Sequence, residues 1–499
     1  MKSNSFEKYF DNCKYILNIN ENYKLSFISS LNPVRSNFPS TEKINKIISD
    51  SQKKQSLIKI FFIFFLKQII HIFTTIYSYL SNFKNVQNIV KNNLNVDFLI
   101  VSHFLQYESF HREEDKYFGK IIEHLKVNHN IFLVQNNWSK TNNKKIFKKF
   151  FSKKCHQNRL LIGKVLDIKS EIKIYFKLLK YFFFTIKKAY LINKNYKNQM
   201  LYHAVDIFNP SSVRTLRITH SIDILINQIN PKYLITSFEG HAWEKLIYEA
   251  AKRNNNKIIC VGYLHGGLFP DQLGVKKTKL HQFNPDIILT CGKSSYNQLI
   301  EYYANSNTKI FNIGSNRILN RSNYKKNEYF KKYSFLVLPD GSKDEFSKII
   351  LFLKSCIDYP TNLSFYVKLH PNMNINQIKN NFNFLNTPNI IFSTDLIENL
   401  SKECVFVLYR GSTAVVEAIS FGLLPIFLND LGNNNLDFIK SLNNFDRSIK
   451  GPKDLINTIN KYKSSKRLNQ IVKENNIFAR SIYSPLKFKD LDKILSFNP

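Results

Sequence analysis

The stretch Val405-Phe-Val-Leu-Tyr-Arg410-Gly-Ser-Thr-Ala-Val-Val-Glu417-Ala-Ile-Ser-Phe-Gly422-Leu-Leu-Pro425-Ile-Phe427 sets two short apolar runs on either side of a segment with helical spacing. Residues 405–408 and 424–427 read as buried strands and 413–421 as the helix between them, a crossover that joins parallel strands rather than a hairpin. The alternation continues outward. Strands are expected at 335–338, 364–369 and 390–392 with a helix at 343–357, and helical segments close the chain to about 485. Upstream of a polar, charged stretch at 320–332 a second series predicts strands at 96–102, 131–134, 233–237, 257–263, 286–291 and 309–313. Helices at 117–125, 211–229, 242–253 and 293–304 fall between them. The pattern predicts the α/β class, with two doubly wound Rossmann-like domains, 96–319 and 333–490, facing each other across a cleft.

Composition agrees with a folded enzyme-sized chain. The 499 residues allow two or three domains, and 43% hydrophobic with 14% aromatic residues excludes a disordered tail. The net charge of +35 favours anionic partners, although abundant Lys, Asn, Ile, Phe and Tyr with only 14 Gly and 14 Pro also suit an AT-rich coding bias. Between Lys140 and Lys197 the chain carries 17 basic residues against Asp167 and Glu171, a concentration beyond that background. Six cysteines stand apart without a CxxC pair, and the first thirty residues show no signal-peptide pattern, which points to a reducing, cytoplasmic setting.

Two segments point toward a membrane. The run 57–80, LIKIFFIFFLKQIIHIFTTIYSYL, has the length of a bilayer span, but Lys59, Lys67, Gln68 and His71 interrupt it. A packed or interfacial helix is expected within a mostly helical N-terminal extension, 1–95. Residues 172–191, inside a basic insertion at 140–198, space lysines at 173, 177, 180, 187 and 188 among aromatics. This predicts either a membrane-surface helix or an amphipathic helix that buries its rings.

Residues just past strand ends are the candidates for chemistry. Arg410-Gly411-Ser412-Thr413 opens a helix, where two hydroxyls, free amides and a guanidinium make an anion site; a simple Ser/Thr cap uses the same residues. His370-Pro371 ends another strand and offers an imidazole to phosphate or leaving group, or else a turn histidine. Glu239 puts a carboxylate just past a strand, a candidate general base with a helix-start carboxylate as the alternative; Glu244 and Trp243 follow as loop-orienting residues. His265 is expected to line the cleft, with Gly266-Gly267 letting backbone amides approach a ligand. Gly314-Ser315-Asn316-Arg317 lies at the hinge, where the Arg can meet phosphate. Asp340-Gly341 with Asp344-Glu345 forms a further acidic element. No Asp-x-Asp or zinc-spaced cluster appears, and no obligatory metal is expected.

Lys368-Leu-His370-Pro371 followed by the string from Arg410 to Pro425 resembles the donor half of GT-B glycosyltransferases, in particular the bacterial sialyltransferase-like and Kdo-transferase-like group. Tyr117-Phe-Gly119, Glu239-Gly-His-Ala-Trp243-Glu244 and the strand ending in His265 are similar to a family of surface-carbohydrate biosynthesis proteins. The resemblance implies phosphate at Ser412 and Thr413, His370 near phosphate or leaving group, and Glu417 near ribose or base. It also implies a nucleotide-sugar donor as substrate, with a CMP-linked one favoured, no other cofactor, and a polysaccharide or lipid-linked acceptor. The acidic element departs from that of sialyltransferases, since Pro339-Asp340 stands where they have paired acids. A polyol-phosphate transferase or a sugar-nucleotide epimerase remains an alternative on the same fold. A basic nucleic-acid-binding protein explains the charge but has no reading motif, so no nucleic acid is expected. A peripheral place on the inner face of the plasma membrane completes the expectation.

Overall fold

In the computed structural model the described residues are 49–50, 53–54, 56–82, 95–104, 115–137, 159–162, 166–269, 272–276, 283–317, 333–341, 343–357, 363–370, 373, 387–429 and 436–496. The expected linker at 320–332, Pro371 and most of the basic stretch before 159 lie outside them.

The first sheet has seven strands, β1 (Phe98–Phe104), β2 (Ile131–Asn137), β3 (Arg159–Ile162), β4 (Tyr233–Ser237), β5 (Ile259–Leu264), β6 (Ile287–Thr290) and β7 (Lys309–Asn312). Their order is β3-β2-β1-β4-β5-β6-β7, and every neighbouring pair is parallel. The second sheet has six, β8 (Tyr333–Pro339), β9 (Leu363–Lys368), β10 (Ile390–Ser393), β11 (Phe406–Arg410), β12 (Leu424–Leu428) and β13 (Ser448–Ile449), in the order β10-β9-β8-β11-β12-β13. Its pairs are parallel too. Each sheet runs outward in both directions from its first strand, so the order reverses between β1 and β4 and again between β8 and β11. This is the GT-B-like pair of Rossmann-like domains that the pattern predicts. Strands covered by helices on both faces are shielded on both, and β1 and β11, mostly apolar, are buried at every position.

Helices α1 (Leu57–Asn82), α2 (Lys120–Lys126), α3 (Ile168–Leu191), α4 (Lys194–Val205), α5 (Pro210–Ile229), α6 (Ala242–Asn254), α7 (Leu273–Lys276) and α8 (Lys293–Tyr303) accompany the first sheet. The second carries α9 (Lys343–Ile357), α10 (Ile397–Leu400), α11 (Val415–Ser420), α12 (Pro452–Ser464) and α13 (Leu468–Ile482), and α14 (Phe488–Ser496) follows. Local signals set the starts of the two long helices. The Asp167 carboxylate accepts from the Ser170 N–H to cap α3, and Asn209 with Pro210 opens α5.

The structure differs from expectation at two places. Residues 159–162 form edge strand β3 and belong to the sheet, so 140–198 is not wholly an insertion. In line with the expected packed or interfacial helix, α1 is docked: Phe64 stacks on Phe182 of α3 with ring centres 3.6 Å apart. The second domain ends before residue 490, because the chain crosses back after α13. The Ser315 N–H donates to the Ser484 carbonyl at 2.9 Å, and Leu491, Ile494 and Leu495 of α14 pack with Phe98 and Ile100 of the first sheet.

Candidate active site

The loop after β4 is held by a carboxylate inside the next helix. Glu244, fully buried in α6, accepts from the backbone N–H groups of Glu239, Gly240 and His241 at 2.8 to 3.1 Å. These are amides that a helix start leaves without internal partners. Burial pushes the Glu244 carboxyl up to about 7, with His241 opposing. Gly240 has φ of 83°, and a Cβ there would lie 2.5 Å from the Gly274 carbonyl carbon, so only glycine allows α7 to close on the turn. Gln272 adds a 3.1 Å bond to the Glu239 carbonyl.

Held this way, the Glu239 carboxylate sits between two imidazoles, 2.9 Å from His241 Nε2 and 3.3 Å from His265 Nε2. Burial alone raises the Glu239 pKa, but the His241 hydrogen bond and the neighbouring imidazoles outweigh it and hold the carboxyl well below its usual range. Burial also drives His265 down to about 4 and His103, at the end of β1, down to about 3. Near neutral pH, Glu239 is therefore ionised and His265 uncharged. His265 Nε2 faces the carboxylate at ion-pair distance, whereas the hydrogen bond to it comes from His241. The His265 Nδ1 is buried from solvent and, among the described residues, has no hydrogen-bond partner. The Tyr117 ring stands edge-on to His265 at 4.5 Å, and Ser237 bonds His103 Nε2 at 3.2 Å.

The second domain offers a different edge. His370 follows β9, and its ring lies against Gly341 after β8, where a Cβ would come within 3.0 Å of Nδ1. Burial lowers the His370 pKa, and Lys116 from the first domain lowers it further across the cleft. After β11, Gly411 turns with φ of 70° beside the Asp340 carboxyl. Thr413 and Glu417 are partly exposed and Ser412 is buried. Burial raises the Glu417 pKa, opposed by Arg317 and Lys368.

Tyr483, on the returning chain, joins the two edges. Its hydroxyl accepts from Arg317 at 2.6 Å and shares a hydrogen bond with Thr413, and the Arg317 guanidinium lies 4.7 Å from its ring centre. Polar contacts thus join Glu239 to His265 and, separately, Arg317 to Tyr483.

Several expected site residues prove to be framework. Arg410 is fully buried, ion-paired to Glu345 and bonded to the Leu428 carbonyl at 2.8 Å, so its charge is spent inside the domain instead of in the cleft. Gly314, at φ of 88°, makes room for the Pro485 carbonyl, and Ser315 bonds the crossover and the Arg317 N–H. Neither glycine nor serine presents a group to the cleft. Asn316 bonds the Phe118 carbonyl at 2.7 Å and steadies the turn carrying Tyr117. Gly267 packs under Phe438 and Ile482 of the second domain, whereas Gly266 faces open space. Sequence reasoning missed His103 and Tyr483. The first ends an apolar strand and had a readable signal, while the second is brought in by the crossover and had none. Among the described residues no group of three or more His, Cys, Asp or Glu side chains is arranged to hold a metal ion.

No family model matches the chain, and no curated protein does. Solved structures share its layout at low identity. The MnaA–UDP co-structure from S. aureus is 12% identical, covering 80% of this chain and 97% of that one, with a TM-score of 0.46. The UDP-GlcNAc 2-epimerase from Methanocaldococcus jannaschii is 14% identical over 77% of this chain and 98% of its own, at 0.41. Anabaena HepE in complex with UDP-glucose is 9% identical over 80% and 100%, at 0.44. Likeness of this degree leaves the chemistry to the chain's own residues.

Proposed function

We propose that the chain is an enzyme of nucleotide-activated sugars, a glycosyltransferase that moves the sugar to a hydroxyl of a surface polysaccharide or lipid-linked glycan. The observation that carries this reading is the Glu239–His265 pair, a charged carboxylate 3.3 Å from an uncharged imidazole. The His265 imidazole takes the acceptor proton as the sugar–phosphate bond breaks and the acceptor oxygen bonds to the sugar, and the nearby ionised Glu239 stabilises the imidazolium that forms. This reverses the order expected from sequence, in which Glu239 was the base; a carboxyl held so far below its usual range is a weak one. His241 holds the other carboxylate oxygen in place.

On the donor side, His370, Ser412, Thr413 and Arg317 surround the position of the leaving phosphate, and Glu417 lies beside the nucleoside. A neutral His370 donates one hydrogen bond to the phosphate as charge develops there. The donor is the substrate, and neither a further cofactor nor a metal takes part. The four described cysteines, Cys260, Cys291, Cys356 and Cys404, are free and buried, which supports a reducing, cytoplasmic setting.

A thermal-shift screen against CMP, CDP, UDP, GDP and ADP tests the donor side, because a ligand that binds only the folded chain raises its midpoint. One nucleotide class is expected to stand out, and no shift with any overturns the reading. With that donor class in hand, sugar release that depends on an added glycan acceptor supports transfer. A donor sugar whose configuration changes without acceptor identifies an epimerase instead.

A further inference from the structure

Helix α1 is amphipathic in the reverse of the usual sense. Lys67, Gln68 and Thr75 face the protein, while Lys59 and Thr74 are exposed: Lys67 Nζ donates to the Val205 carbonyl at 2.9 Å, Tyr175 Oη donates to Gln68 at 2.8 Å and Arg217 donates to Thr75 at 3.0 Å. His71 is buried with them, and burial lowers it to about 4. Ile60 and Phe64 anchor the same face in the core. The opposite face is apolar and open, with Ile58 83%, Phe62 63%, Phe65 61% and Phe73 69% exposed. Water does not favour such a stripe, which exceeds the scattered apolar residues of an ordinary surface.

Helix α3 lies alongside and extends that surface. Ile168, Ile172, Phe176 and Phe183 are exposed on it at spacings of four, four and seven residues, one and two helical turns, and so line one stripe. Lys169, Lys173, Lys180 and Lys187 are exposed on the adjoining stripe. Between α1 and α3 an apolar groove of about 550 Å³ opens, lined by Ile72, Ile76, Ile172 and Phe176 among others. An apolar band bordered by lysines matches the interface of an anionic bilayer, where rings enter the acyl boundary and ammonium groups stay with the phosphates.

We infer that the joint face of α1 and α3 docks the chain on the surface of an anionic lipid membrane, with α1 lying in the interface rather than crossing it. One helix, residues 57–77, is long and apolar enough to span a bilayer by length and composition. Crossing requires Lys67, Gln68 and Thr75 to give up their bonds to the protein body and enter hydrocarbon, a cost that lying flat avoids. The inference stands on these two helices and is independent of the active site.

The test is co-sedimentation of the full chain with phosphatidylglycerol–phosphatidylcholine vesicles and with phosphatidylcholine alone. Binding to the anionic vesicles that weakens with salt and survives dilution of the neutral ones is expected. The triple variant F62E/F65E/F73E should lose it while keeping the thermal midpoint. Lys173→Gln and Lys180→Gln should each lower partitioning about fivefold. Three outcomes overturn the inference: no binding to anionic vesicles, binding indifferent to all of these changes, or a fraction that alkaline carbonate cannot extract, which marks a span. A dimer that the triple variant dissociates into monomers also overturns it, because a second copy then covers the face.

Discussion

The turns after β4 and β11 occupy the same place in their sheets, the strand just across the point where the order reverses, yet they spend their charges differently. After β4 the buried carboxylate of Glu244 serves the backbone, and the Glu239 carboxylate meets two imidazoles. At the end of β11 it is the charged residue that leads into the turn, Arg410, that is drawn inside by Glu345 from α9. Hydroxyls, the Asp340 carboxyl and the more distant Glu417 remain at that edge. The two edges therefore differ in which charge the fold takes inside.

Substitutions can break this comparison. The largest effect is expected for His265→Gln, which removes the imidazole: turnover should fall ~10²- to 10⁴-fold with nucleotide affinity kept. Glu239→Gln should cost less, and a greater loss than for His265 would return the base role to Glu239. In the second domain Glu345→Ala leaves the Arg410 guanidinium buried without its carboxylate, and chemical denaturation should show ~3 to 5 kcal/mol of lost stability. If Arg410 faced a ligand instead, stability would hold and nucleotide affinity would drop. Glu244→Ala removes the partner of three turn amides and should cost roughly 1 to 3 kcal/mol with reduced turnover.

The smallest effect sharpens the comparison by pH. His265 is depressed from 6.5 to about 4, so its neutral, proton-accepting form persists as pH falls through 6. The acid limb of kcat/KM should therefore appear near pH 4 to 5, and a limb at 6.5 speaks for a solvent-like histidine. Glu239 raises the His265 pKa through its charge, so Glu239→Gln should move the limb toward lower pH.

Much of the frame was legible from residue order. Strand β4 and helix α9 fall on the expected residues 233–237 and 343–357, because a continuous apolar run or a 3.6-residue period is a local property. Edge strand β3 was missed: four residues beside a lysine-rich stretch carry too little pattern. Of the candidate site, Glu239, His265 and His370 were readable as polar residues past strand ends. The burial of Arg410 was not, because Glu345 lies 65 residues away and nothing near Arg410 announces it. Gly314 and Gly292 likewise looked like ligand-approach glycines or passed unnoticed, and each makes room for the returning chain at 482–485.

Taken alone, the sequence determined the two parallel sheets, the strand-end positions of the chemistry and the basic, aromatic character of residues 168–191. Those follow from apolar periodicity and from which residue stands after each strand. Only the tertiary structure decided that Glu239 and His265 form a pair, that Tyr483 ties the edges together through Arg317 and Thr413, and that the apolar face of α1 turns outward. Each depends on groups far apart in the chain meeting in a low-dielectric interior, where a partner's position sets protonation and orientation, and no local pattern encodes that meeting.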